Sequence, residues 1–133
     1  MGNSKLHDIL DLNDVKILVD TFYSKVQKDD LLSGIFNAKI ENYWPEHLDK
    51  MYRFWQTILL AEHTYFGSPF PPHAKLPIEK EHFQRWQDLF EVTINECFKG
   101  EKAKEALWRA GKMSELFQHK IKHYRNTNTL PII

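Results

Sequence analysis

The sequence predicts an all-α domain, and three observations carry that prediction. Apolar residues recur at intervals of three and four along four stretches of the 133-residue chain, the period of one helical face rather than the period of two that marks a strand. Residues that punctuate helices fall at the ends of those stretches, with capping types at Asn13 and Asp14, Pro45 near one start and Gly100 after one end. No strand-like alternation, internal repeat or low-complexity block interrupts the pattern.

The first helix is expected from Asn13 to Asp29, with Val15, Leu18, Val19, Phe22, Tyr23 and Val26 on one stripe. The next residues, Asp29 to Phe36, are short, apolar and broken by Gly34, and read as a corner or a turn of helix ending near Asn37. A second long helix starts at Trp44-Pro45-Glu46, because proline suits the first helical position where its missing N–H costs nothing, and runs to about Ala61. On it His47, Met51, Phe54 and Ile58 share a face, with Leu48, Trp55 and Leu59 on the adjoining stripe, so His47 lies at the edge of the apolar side.

Between Glu62 and Ile78 the helical period fails. Four of the six prolines and Gly67 fall there among Tyr65, Phe66 and Phe70, which makes a stiff, non-helical connection. Loops of this length inside compact domains are usually functional or disordered, and the aromatic content argues for function. Helical spacing resumes from Glu79 to Phe98, through Phe83, Trp86, Leu89, Phe90, Thr93, Ile94 and Cys97, and Gly100 ends it. A last helix from Glu101 to Tyr124 carries Ala106, Leu107, Ala110, Met113, Phe117 and Ile121, followed by a flexible polar tail from about residue 125. The whole chain, 1–133, reads as a single domain.

Composition narrows the function. Eighteen basic and eighteen acidic residues cancel, and a pI near 7.1 gives no bulk field for nucleic acid or an anionic membrane. A 42% hydrophobic and 14% aromatic content supplies a core. One cysteine, Cys97, cannot close an internal disulfide, which fits a reducing cytoplasm. The start of the sequence lacks the apolar stretch of a signal peptide, and no run of roughly 20 apolar residues suggests a membrane span. Glycine-rich phosphate loops, the Gly-x-Ser-x-Gly elbow, His-Glu-x-x-His and paired-cysteine zinc spacing are all missing from the sequence.

Histidines and aromatics remain. His73 stands in Pro69-Phe70-Pro71-Pro72-His73-Ala74-Lys75-Leu76-Pro77, where prolines fix the direction of the imidazole and apolar neighbours exclude water. Such a site suits an axial haem ligand, and the same residues equally describe a surface histidine in a rigid loop. His82, on the next helix, is the rival ligand. Tyr23, His47 and Trp86 each bring a polar handle to an apolar helix face, where they could donate to a ligand or simply belong to the core.

Together these segments resemble the truncated haemoglobins of group III, a bacterial-type branch of the truncated globin family. The matching pieces are Phe22-Tyr23-Ser24-Lys25-Val26, Leu31 to Phe36, His47 to Trp55, Tyr65-Phe66-Gly67-Ser68-Pro69, His73 to Ile78, and Phe83 to Phe90. Their order and spacing, more than any one piece, carry the resemblance, and the glycine pairs common in the other truncated groups are missing. The resemblance implies a truncated globin, a two-over-two helical sandwich around haem b (iron protohaem IX). It implies His73 as the proximal iron ligand, Tyr23, His47 and Trp86 on the distal side, Phe36 against the haem face, Met51 lining the distal cavity and Lys50 as a propionate contact. It further implies binding of dioxygen, nitric oxide or similar diatomics, for dioxygenase- or peroxidase-like redox chemistry rather than storage. The chain has no flavin or nicotinamide module, so that chemistry would need an electron-donating reductase. A haem-based gas sensor and a haem-free helical interaction module are the rival readings.

Overall fold

The structure, a computed structural model, describes residues 6–67 and 78–127, with side chains through residue 123. Five helices follow in order: α1 (Leu12–Lys28), α2 (Ser33–Ile40), α3 (Trp44–Leu60), α4 (Lys80–Cys97) and α5 (Glu101–Thr127). The pairs α1–α3 and α4–α5 pack together and are joined across the α1–α4 contact, with α2 against α1 and α5 also touching α3. This is the all-α architecture that the apolar stripes predict, in the two-over-two arrangement that the resemblance implies. Among the described residues the nearest thing to a strand is one isolated bridge between His7 and Phe98.

Each helix forms where its sequence supplies both a stripe and an end. Asp11 caps α1, its side chain accepting from the Asp14 N–H at 3.0 Å, and all six predicted stripe residues from Val15 to Val26 are buried. The α1–α2 corner is built by Asp29, whose carboxylate accepts from the N–H groups of Leu31 (3.1 Å) and Leu32 (3.0 Å) and from Arg85 Nε of α4 (2.6 Å). Burial by itself would raise the Asp29 pKa, but the Arg85 hydrogen bond, these backbone donors and the Arg85 charge hold it below the usual aspartate value. With the turn leading into it organised in this way, and the Ser33 N–H donating to the Asp29 backbone carbonyl at 2.9 Å, α2 becomes a full eight-residue helix ending at Ile40. The expected turn ending near Asn37 is therefore too short, and Gly34 is tolerated inside the helix.

The core is aromatic at its centre. Phe90, 1% exposed, stacks on Trp55 (5.2 Å) and on Trp86 (5.7 Å) and receives the edge of Phe22 (5.3 Å). Ala103, Ala106 and Ala110 of α5 are buried in the same core. Phe83, Phe117 and Ile121 form a second, smaller cluster. Helix α5 continues to Thr127, three residues beyond the expected Tyr124.

Gly100 has a different job from the one its position suggests. Helix α4 ends at Cys97 with Phe98 as its C-cap, and Gly100 sits at φ +135 where a Cβ would lie 2.6 Å from Asp8 Cγ. The missing side chain makes room for the Asp8 carboxylate, which accepts from the N–H groups of Lys102 (2.8 Å) and Ala103 (2.9 Å) and so caps α5 from the far end of the chain. Burial pushes the Asp8 pKa up, and the Lys102, Ile9 and Ala103 backbone donors more than reverse this, leaving it below 3.8. A lowered folded-state pKa means that the contribution is complete above the ordinary aspartate range and is lost as pH falls through the lowered value. Asp8→Asn keeps the shape but turns an amide N–H₂ toward a backbone donor. It should cost about 1–3 kcal/mol at pH 7, and the gap from wild type should be unchanged down to the ordinary aspartate range and narrow as pH falls through the lowered value. Urea unfolding across that pH range checks this, and a gap that stays constant throughout would show that the charge is not responsible.

Candidate functional site

Tyr23 comes from the fourth turn of α1, on the stripe that faces α3 and α4. It is 7% exposed, and burial raises its phenol pKa well above the usual value, so the hydroxyl remains a proton donor at any physiological pH. Around it stand His47 (ring centroids 5.2 Å apart, planes at 88°), Trp44 (5.8 Å) and Phe36 (6.0 Å), with Trp44 and His47 themselves 5.7 Å apart. These four rings come from α1, α2 and α3, and the edge-to-face geometry is the preferred one for aromatic quadrupoles. The His47 Nε2 atom is closed off from solvent.

Trp86 joins the cluster through Phe22, whose ring lies 4.9 Å from Tyr23 and 5.5 Å from Trp86. Its indole is held parallel to Phe90, the planes 9° apart, and the neighbouring Arg85 ties this part of α4 to Asp29. Met51, one turn beyond His47, is half-buried against the same core. Lys50 is exposed on α3. Tyr23 is thus brought into ring contact with both His47 and Phe36, Trp86 stands behind one intervening ring, and Lys50 lies outside the cluster.

His73 lies outside the described residues. The segment leading toward it is fastened to the end of α3. Ala61 takes a left-handed φ of 58°, and the Thr57 hydroxyl accepts from the N–H groups of Thr64 (3.0 Å) and Tyr65 (2.9 Å). Gln56, itself buried, donates to Glu62 (2.9 Å) and accepts from the Thr64 hydroxyl (2.8 Å), while the Tyr65 ring packs against Phe54 at 5.3 Å. At the start of α4 His82 serves the backbone, its Nδ1 accepting from the Glu79 N–H at 2.8 Å in a reciprocal cap. His82, the rival ligand, thus serves as a helix cap.

Three contributors went unmarked by sequence reasoning. Trp44 was visible only as a helix start, Phe22 only as a core residue, and the Asp29–Arg85 pair joins residues too distant in the chain for any local pattern to reveal. A groove of about 360 Å³ on the outer α4–α5 face, beside Gln87, Trp108 and Lys112, shares no residue with the donor cluster. Cys97 is half-buried and burial raises its thiol pKa, the state of an unreactive side chain.

The five-helix all-α fold is that of the globin class. The profile of the bacterial-like globin family matches residues 6–122, and the chain belongs to that family. It is similar to the group 3 truncated haemoglobin of Campylobacter jejuni, with 37% identity over 111 residues that cover 80% of this chain and 87% of the relative. The crystal structure of the group III truncated haemoglobin from Campylobacter jejuni superposes with a TM-score of 0.81 at 33% identity, over 87% of this chain and 94% of the other. No helix among the described residues is long and apolar enough to cross a membrane.

Proposed function

We propose that this chain binds haem b and, on it, dioxygen, nitric oxide or similar diatomic ligands, for redox chemistry rather than for storage. Membership of the globin family supports a haem protein that binds small ligands. The observation that carries the finer reading is the Tyr23–His47 pair, a buried neutral phenol against an imidazole within an aromatic wall. An apolar wall with a few neutral donors fits a flat apolar macrocycle bearing a small polar ligand on one face.

The haem, when bound, supplies the iron at which a diatomic ligand is held and reduced or oxidised. His73 would hold that iron through its imidazole, Phe36 would pack on the macrocycle, Met51 would line the ligand side and Lys50 would meet a propionate. Tyr23 donates from its hydroxyl and Trp86 from its indole N–H toward the ligand, both fixed in place before it arrives and so at little reorganisation cost. His47 holds a proton next to Tyr23 and excludes water from the pocket. Several strong donors slow release, which defeats a carrier and favours turnover. Electrons would come from a separate reductase, and a cytoplasmic setting would keep Cys97 reduced.

The test is titration of the purified protein with hemin, followed by dithionite and carbon monoxide. Uptake of one equivalent with an intense Soret band that shifts on carbon monoxide binding is the expected result. A protein that stays colourless would replace this reading with a haem-free helical interaction module.

A further inference from the structure

Resting on the ligand-binding reading above, we propose that Trp44 is a positioning residue of the pocket, its indole holding His47 against Tyr23. The three rings close a triangle with sides of 5.2, 5.7 and 5.8 Å, and the His47 plane stands at 88° to Tyr23 and 90° to Trp44. Each ring edge in such a set meets a ring face, so each position is favoured by two neighbours at once.

Trp44 is the fixed member. It opens α3 in the first turn, three residues before His47 and on the same side of the helix. The backbone there is set by a tight corner: Glu41 lies at φ +51°, a conformation uncommon for glutamate, Tyr43 N–H donates to the Ile40 carbonyl at 2.9 Å, and Pro45 fixes the next φ. His47 is half-buried, as Trp44 is, but stands one turn further along α3, away from that corner, where rotation about χ1 would carry the imidazole toward solvent. That rotation breaks both of its ring contacts in the triangle. Trp44 therefore sets the fraction of time His47 lies over Tyr23, and with it both ligand access and the polarity a bound ligand meets. Trp44 itself needs no contact with the ligand.

The experiment compares wild type, Trp44→Leu and Trp44→Phe, each loaded with haem and carbon monoxide. The infrared C–O stretch reports the donors beside the ligand, and flash photolysis reports access. Trp44→Leu should shift population toward a higher-frequency C–O band and raise the carbon monoxide association rate roughly 3- to 10-fold, while Trp44→Phe restores both toward wild type. If Trp44→Leu does not fold, Trp44→Met is read in the same way. A purely structural tryptophan would lower the unfolding temperature and leave the C–O bands and association rate unchanged, and that result overturns the proposal. Proteins that show no Soret band overturn the haem reading and this inference with it, an outcome distinct from a normal Soret band with unmoved C–O bands.

Discussion

His73→Ala should abolish the spectrum of histidine-ligated haem, while His82→Ala leaves that spectrum in place. The contrast follows from what each imidazole has to do. His82 spends Nδ1 on the Glu79 N–H at the start of α4, so its loss should cost about 1 kcal/mol of helix stability, the usual worth of a cap. His73 has the proposed duty of axial ligand. Changing a partner that merely orients a metal ligand already lowers affinity roughly 10- to 100-fold, so deleting the ligand should weaken hemin binding by at least about 100-fold. Added imidazole should restore much of the Soret band to the His73→Ala protein by filling the vacated coordination position. The measurement is a hemin titration monitored in the visible, with ferrous carbon monoxide spectra of both variants. If His82→Ala lost the band and His73→Ala kept it, the ligand assignment would be reversed.

Oxygen release is the second large effect. Tyr23→Phe removes only a hydroxyl, and the ring contacts with Phe22, Phe36, Trp44 and His47 can survive. A hydrogen bond to a ligand carrying negative charge is worth about 1.5–3 kcal/mol, so oxygen dissociation should accelerate roughly 10- to 100-fold. Trp86→Phe preserves an aromatic ring over Phe90 and deletes the indole N–H; a smaller acceleration is expected. Because both donors address one ligand, the double variant should fall short of the product of the two single effects. Burial raises the Tyr23 pKa, so the phenol is neutral throughout the accessible range and the wild-type release rate should show no step from Tyr23 between about pH 6 and pH 9. Stopped-flow measurement of oxygen release gives both results. Rates unchanged in all three variants would remove Tyr23 and Trp86 from the distal side.

Much of the site was legible one residue at a time. Tyr23, His47 and Trp86 stand out because each brings an O–H or N–H group to an apolar stripe, and stripes can be counted along a chain. What could not be read was their company. Trp44 looks like a helix start in sequence, and its importance appears only when α3 is laid against α1 and the indole meets Tyr23 and His47. Gly100 was legible as a break but not as a cradle, because the carboxylate it accommodates belongs to Asp8. The length of α2 was underestimated for a related reason, since the Asp29 oxygens that organise the turn leading into it also answer to Arg85 on α4.

The sequence by itself determined the helical class, the buried stripe of α1, the start of α3 at Trp44-Pro45 and the family to which the chain belongs. These rest on local periodicity, capping and ordered motifs, all properties of residues a few positions apart. Only the tertiary structure decided that Trp44, Tyr23, Phe36 and His47 form one wall, that His82 is a cap, and that Asp8 and Asp29 tie distant elements together. The physical reason is that ring packing and buried hydrogen bonds depend on distances across helices. Such distances are set when the stripes dock, and no spacing along a single helix encodes them.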